Sequence, residues 1–204
     1  MGESATIGLR LAAGCLFGLL LALPVSDARA QFDPALPDGA GPPAQAAPVE
    51  ELLDRLSAAE DESEARRLER IILRAWQNTD SPTIDILFQR AGAALGEEDY
   101  TLAFELVEAI VILAPDFAEG WNMRATLYYR LGDHERALEN LAQVLALEPR
   151  HFAALGGLGI ILRDLGEKPA ALSVMRRARE IHPYYGALER MIERLSLEVE
   201  GRGI

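Results

Sequence analysis

The chain has 204 residues, of which 50% are hydrophobic and 25% charged, a composition typical of a globular domain with its own core. Its formal net charge of -12 repels phosphate groups, which excludes nucleic acid as an expected partner and argues against docking on anionic lipid through a basic face. The one cysteine, Cys15, excludes an internal disulfide, a cysteine-based metal site and a redox pair.

Residues 1–30 have the layout of a secretory signal peptide. A short polar start ends at Arg10, an apolar stretch runs through residues 11–25, and Ala28-Arg29-Ala30 is a small-x-small cleavage site. The apolar stretch is too short for a comfortable transmembrane helix and has no second basic flank. We therefore expect cleavage after Ala30 and export to a bacterial periplasm, which suits a mature chain without disulfides; secretion is the second choice.

Two other outcomes at this terminus stay open. The segment Ala12-Ala13-Gly14-Cys15 resembles a bacterial lipoprotein box, in which the cysteine becomes the lipidated first residue, although Ala12 stands where the box usually has Leu. Retention of the apolar stretch as an uncleaved anchor is the other outcome. If residues 1–30 are removed, as many basic as acidic residues leave, so the mature charge stays at -12. We expect no direct membrane binding by that mature form.

Residues 31–48 and 49–80 differ in pattern. The first segment is rich in Pro, Gly and Ala and shows no apolar periodicity, which predicts a disordered linker. The second has apolar residues at helical spacing on two successive helices, with Leu53 and Leu56 on the first and Trp76 at the end of the second. Its length is close to that of the repeat unit that follows, so we interpret it as an N-terminal capping helix hairpin that covers the start of the repeats.

Internal repetition determines the expected fold. Pro115, Pro149 and Pro183 are spaced by 34 residues each time, and each proline ends a helix before the next helix hairpin begins. Small residues such as Ala125 and Ala137 predict that the two helices of a hairpin cross closely. Seven positions keep their size class in most copies, and in the middle unit these are Trp121, Arg124, Ala125, Tyr128, Ala137, Leu141 and Pro149.

This pattern resembles the tetratricopeptide repeat family, whose units of 34 residues carry a Trp, a Leu-Gly pair, a Tyr, a later Ala and a closing Pro. Arg124 stands at the Leu position, which its long stem can fill. The resemblance implies an all-α, right-handed superhelical solenoid of antiparallel helix hairpins with capping helices at both ends. The implied segments are three repeats at 84–117, 118–151 and 152–185 (together residues 84–185) and a C-terminal capping helix and tail at 186–204.

The resemblance also implies a binding groove. In this family the first helices of the hairpins line a concave face. Members that clamp the terminal carboxylates of a peptide use Lys and Asn on the groove face of the first unit, where this chain has Phe88 and Gly92, so we do not expect that ligand. The groove side chains that the resemblance assigns to a partner are Phe88, Asn122, Thr126, Tyr129, Arg130, Ile160 and Arg163.

Nothing in the sequence predicts a catalytic set, a metal site or a cofactor. The Gly-rich residues 155–159 lack the preceding strand and the downstream acid of a phosphate-binding loop, and Gly159 is better explained as the close-packing residue of its hairpin. His134, His151 and His182 are not paired at metal-ligand spacing, so we interpret them as surface or turn histidines.

We therefore predict a non-catalytic protein–protein interaction scaffold of the bacterial envelope, a monomer or weak homodimer, which binds a protein or peptide partner in its groove. The first alternative is a membrane-tethered envelope-assembly factor. The second is an enzyme or a small-ligand binder, although a solenoid of this kind offers shallow grooves rather than deep pockets.

Mass spectrometry of the mature amino terminus distinguishes cleavage after Ala30 from lipidation at Cys15 and from an uncleaved anchor. We expect a first residue of Gln31 and a mass without lipid, because the small residues at 28 and 30 fit a signal-peptidase site. A lipidated Cys15 at the terminus, or a chain that still begins at Met1, would contradict soluble export. Replacement of Ala30 by Phe is the matched control, since a bulky side chain at this position should block cleavage.

Overall fold

The computed structural model describes residues 46–201, which form nine α-helices and, within that range, no strand. The predicted signal peptide lies outside the described residues, and so does the predicted linker except for residues 46–48, which begin the first helix. No helix in the described range is both long and apolar enough to span a membrane. The helices are α1 (Ala46–Ser57), α2 (Glu62–Gln77), α3 (Pro82–Gly96), α4 (Tyr100–Leu113), α5 (Ala118–Arg130), α6 (His134–Leu147), α7 (Phe152–Asp164), α8 (Lys168–Ile181) and α9 (Gly186–Val199).

Three successive helix hairpins make up the body of the fold. The pairs α3–α4, α5–α6 and α7–α8 pack most extensively, and each pair also packs on its neighbour through α4–α5 and α6–α7. Helix α9 packs on α8, with Leu188, Ile192 and Leu195 buried. This arrangement confirms the predicted all-α helical repeat fold.

Local residues set the turns inside the hairpins. Gly132 and Gly166 have φ values of 77° and 85°, the left-handed region that glycine adopts without strain. The carboxylate of Asp133 then accepts a hydrogen bond from the backbone N–H of Arg136 and starts α6. Because these residues recur at the repeat interval, the hairpins turn where the sequence predicts.

Small residues allow the two helices of each hairpin to approach closely. In the last hairpin, a Cβ atom added at Gly159 would lie 2.5 Å from Cγ of Met175 and 3.4 Å from the carbonyl oxygen of Ala171. The corresponding positions in the other two hairpins are also small and buried: Ala91 with Ala103, and Ala125 with Ala137. The contact distance of a helix pair is therefore set by the absence of side-chain volume at one point.

Arg124 replaces an apolar residue at the joint between the first two repeats. Its Nε donates to Oδ1 of Asn140 at 2.6 Å, its Nη1 donates to Oε1 of Glu108 at 2.9 Å, and its guanidinium lies 4.6 Å from the ring centroid of Trp121. The side chain thus links α4, α5 and α6. A long stem with a charged end fills the position that the family usually gives to Leu, as the sequence predicts.

The hairpin of α1 and α2 does not sit where a cap for the first repeat is expected. Instead, α1 packs on α8, α2 packs on α5, and the apolar core of the hairpin includes Phe152 of α7. The start of the first repeat stays open, with Ile86 58% exposed at the position where Gly120 of the next repeat packs against α4. Where the hairpin lies, Trp76 stacks on His151 and contacts Phe152, and these aromatic contacts are the physical reason for this correction.

Replacement of two glycines in α7 tests the close crossing. Gly159→Ala should lower the free energy of unfolding by about 1–3 kcal/mol, because the new methyl group overlaps Met175 in a packed core. Gly157→Ala is the matched control; its nearest atoms would be Leu141 carbons at 3.9 Å. It should stabilise the helix by about 0.5–1 kcal/mol. Urea unfolding followed by circular dichroism measures both, and equal effects would contradict the crossing argument.

Candidate functional site

The groove side chains predicted at the ends of α5 and α7 meet at one acid. Tyr129 Oη donates to Oδ2 of Asp164 at 3.0 Å, and Arg163 donates to Oδ1 of the same residue from Nε at 2.9 Å and from Nη2 at 2.6 Å. Burial first, and then the hydrogen bond and charge of Asp164, raise the pKa of the Tyr129 hydroxyl. The structure therefore brings Tyr129 and Arg163 together across two repeats.

Phe88 lies in a second part of the groove, a cleft of about 460 Å³ between α2, α3 and α5. Its apolar walls are Phe88, Gly92 and Met123. Sequence reasoning missed Met123 and also missed that α2 forms one wall of this cleft. The polar residues at its rim are Arg74, Gln77, Asn78, Asp85 and Gln89.

The other predicted groove residues make contacts within their own helices or face solvent. Asn122 Nδ2 donates to Oε2 of Glu119 at 2.9 Å, and Thr126 Oγ1 donates to the carbonyl oxygen of Asn122 at 3.0 Å. Ile160 is half-buried and Arg130 is exposed. Of this set, Arg130 is the side chain most accessible to a partner.

Glu119, the hydrogen-bond partner of Asn122, forms a buried polar pair with His151 that sequence reasoning missed. Glu119 and His151 are 4% and 0% exposed, and Oε1 of the acid lies 3.4 Å from Nε2 of the imidazole. Nδ1 of His151 accepts a hydrogen bond from the backbone N–H of Ala154 and thereby starts α7, which leaves the ring proton on the Nε2 that faces Glu119. Burial acts to raise the pKa of Glu119, but the hydrogen bonds from His151 and Asn122 outweigh it, so the pKa is lowered.

A cluster of five rings lies where α2 meets the turns before α7 and α9. We call it the junction cluster; it consists of Trp76, His151, Phe152, His182 and Tyr185. Trp76 stacks on His151 with ring centroids 4.3 Å apart and an interplanar angle of 9°. Phe152 contacts Trp76, His182 and Tyr185 at centroid distances of 5.4, 5.2 and 5.5 Å. The sequence feature that could have indicated this cluster is the presence of aromatic residues near the repeat prolines.

The sequence predicts that His151 and His182 are surface or turn histidines, and the surface part of that prediction is wrong. Both residues lie next to a turn, but both are buried, and His182 is only 1% exposed. The hairpin covers it, and Nε2 lies 3.5 Å from Oε2 of Glu69 in α2. Burial lowers the pKa of His182, and Glu69 only partly opposes this by its hydrogen bond and charge.

Comparisons with known proteins agree with the repeat architecture. The tetratricopeptide repeat profile matches residues 122–186. A TPR repeat-containing protein of Rhizobium etli is 30% identical over 153 residues, which are 75% of this chain and 75% of that protein.

Two solved structures share the fold at lower identity. The first TPR of Spaghetti, bound to an HSP90 peptide, is 18% identical with a TM-score of 0.56 and matches 60% of this chain and 97% of its own. The type III secretion chaperone SycD of Yersinia enterocolitica, in complex with a peptide of the translocator YopD, is 16% identical with a TM-score of 0.52 and matches 59% of this chain and 92% of its own.

The buried His182 predicts a pH dependence of stability. Because its pKa is lowered from the ordinary value of 6.5 on folding, the unfolded chain binds a proton that the folded chain does not, and stability is lost as the pH falls below 6.5. His182→Gln should flatten this loss in urea unfolding measured between about pH 7.5 and 5. His134→Gln, at the start of α6, is the control, and a slope unchanged by His182→Gln would contradict the prediction.

Proposed function

Because the chain belongs to the tetratricopeptide repeat family, we propose that it is a non-catalytic scaffold that binds a partner protein or peptide on the groove face of α3, α5 and α7. The observation that carries this proposal is the contact of Tyr129 and Arg163 through Asp164. This contact joins an aromatic ring, a cation and an anion from two repeats in one partly exposed patch. Tyr and Arg are residue types that often contribute most to binding at protein interfaces.

Structures with this fold that hold peptides support the proposal. Both the Spaghetti domain and the Yersinia enterocolitica chaperone are solved with a bound peptide. In this chain, Phe88, Gly92 and Met123 give the neighbouring cleft apolar walls. An apolar side chain of the ligand suits those walls better than a terminal carboxylate, because burying a charge without a partner is costly.

We place this scaffold in the bacterial periplasm. The support is the signal-peptide layout of residues 1–30 with its small-x-small site at residues 28–30. A tether through Cys15 would put the same groove at a membrane surface, as the lipoprotein-like segment suggests. The two locations share one groove chemistry and differ only in the attachment of the amino terminus.

Site-specific photo-crosslinking tests the groove. A photoreactive phenylalanine analogue at position 130, which is exposed on α5, should capture a discrete partner in the native cells. The same analogue at position 139, which is exposed on α6, is the matched control and should not capture it. Combined Tyr129→Ala and Arg163→Ala substitutions should weaken capture about tenfold or more, because they remove two large contact side chains.

An unchanged cross-linked product in the double variant would count against the groove. Equal capture from positions 130 and 139 would point to a different surface. Circular dichroism and thermal unfolding of each variant confirm that the repeats stay folded.

A further inference from the structure

The hairpin of α1 and α2 covers part of the face that the proposed function leaves to a partner. Trp76 of α2 stacks on His151, and both Glu119 near the start of α5 and Phe152 at the start of α7 are buried. Tyr129 and Arg163, near the other ends of those two helices, are half-buried. One half of the groove face is therefore closed by a segment of the same chain, and the other half is open.

The surface under Trp76 is built by the repeats alone. His151 and Phe152 come from the α6–α7 turn and the start of α7, whereas His182 and Tyr185 come from the α8–α9 turn. Only the indole is supplied from outside the repeats. Four rings at the repeat junctions thus line one aromatic pocket, in which Trp76 contacts His151 and Phe152. His182 and Tyr185 lie behind Phe152 and contact its ring.

A cation beside this pocket favours a negatively charged segment in the pocket. Arg150 Nη1 donates to Oε2 of Glu50 and to Oδ1 of Asp54, both at 2.7 Å. The two acids are one helical turn apart on α1, so they present one acidic stripe to the arginine. Pocket and arginine together fit an amphipathic helical segment with an aromatic anchor and an acidic stripe.

The attachment of the hairpin has features of a replaceable contact. The Asp54 side chain is 73% exposed, so its ion pair with Arg150 is screened by water. The indole nitrogen of Trp76 is buried without a hydrogen-bond partner of good geometry among the described residues. A buried donor without such a partner weakens an interface.

We propose that the pocket of His151, Phe152, His182 and Tyr185, together with Arg150, is the docking site for an acidic amphipathic helix of the partner, and that α1–α2 is its displaceable internal occupant. This inference rests on the proposed scaffold function and adds the chemistry of the partner. The hairpin then acts as a competitor, so the apparent affinity of a partner is reduced by the fraction of molecules in which the hairpin is docked.

A peptide of this chain serves as the probe. A fluorescent peptide of residues 46–80 is titrated into the full chain and into a variant that carries Trp76→Ala and Asp54→Ala, which loosen the hairpin but leave the pocket intact. The peptide should bind the loosened variant about tenfold tighter than the wild type, because the internal competitor is undocked. A peptide with Trp76→Ala should lose this binding.

A charge exchange distinguishes a specific loss of binding from unfolding of the variant. Arg150→Glu in the loosened chain should weaken binding of the native peptide. A peptide with Glu50→Arg and Asp54→Arg should restore it, which a collapsed pocket would not allow. Equal affinity for wild-type and loosened chains, or undiminished binding of the Trp76→Ala peptide, would overturn the proposal.

A locked hairpin separates this inference from the proposed function. Tyr184 Oη donates to the carbonyl oxygen of Glu60 at 2.7 Å, so Glu60→Cys and Tyr184→Cys in a Cys15→Ser chain can be joined by a short bismaleimide. The partner captured through position 130 should bind the unlinked chain and lose about tenfold or more in affinity after linkage. Equal binding before and after linkage would overturn displacement and leave the groove function standing.

Two further outcomes are decisive. Absence of any capture through position 130, in the wild type as well, removes the proposed function, whereas the peptide titration still reports on the pocket. Exchange of hairpins between two copies at high concentration, seen as a dimer linked between positions 60 and 184, would make a second copy of this chain the occupant and overturn the partner helix.

Discussion

The close crossing of two helices at a point without side-chain volume is the constraint on which the rest of the structure depends. At Gly159 a methyl group would lie 2.5 Å from Met175, and alanines occupy the equivalent buried points of the other hairpins. Since a bulky residue there would push the helices apart, the two helices of each hairpin stay in close contact. The hairpins then stack on one another through α4–α5 and α6–α7.

Polar and aromatic groups collect at the turns between repeats. His151 starts α7 through its own Nδ1 while its other nitrogen faces Glu119, so one residue serves the turn, the helix start and a buried pair. Arg124 and Asn140 make the corresponding polar link at the earlier joint. Buried polar groups are costly unless they are paired. Such pairs therefore favour one register of consecutive repeats over a slipped one.

The amino-terminal hairpin connects this architecture to function. Its apolar face, with Leu53, Leu56 and Leu68 completely buried, needs a surface to cover it. The rings at the junctions cover part of this face, and aromatic contacts add to area burial. The hairpin forms one wall of the cleft at Phe88 and shields Phe152.

The sequence by itself determined the helical repeats, their turns and the groove helices, because proline spacing, glycine turns and small crossing residues act through local geometry and nearest neighbours. It also indicated Tyr129 and Arg163 as candidate groove residues, and the fold joins them through Asp164. Only the tertiary structure decided where the hairpin packs and that His151 and His182 are buried. Apolar periodicity predicts that one face of a helix is buried, but it does not identify the segment that covers this face. Which distant segments come into contact depends on the competition among all available surfaces.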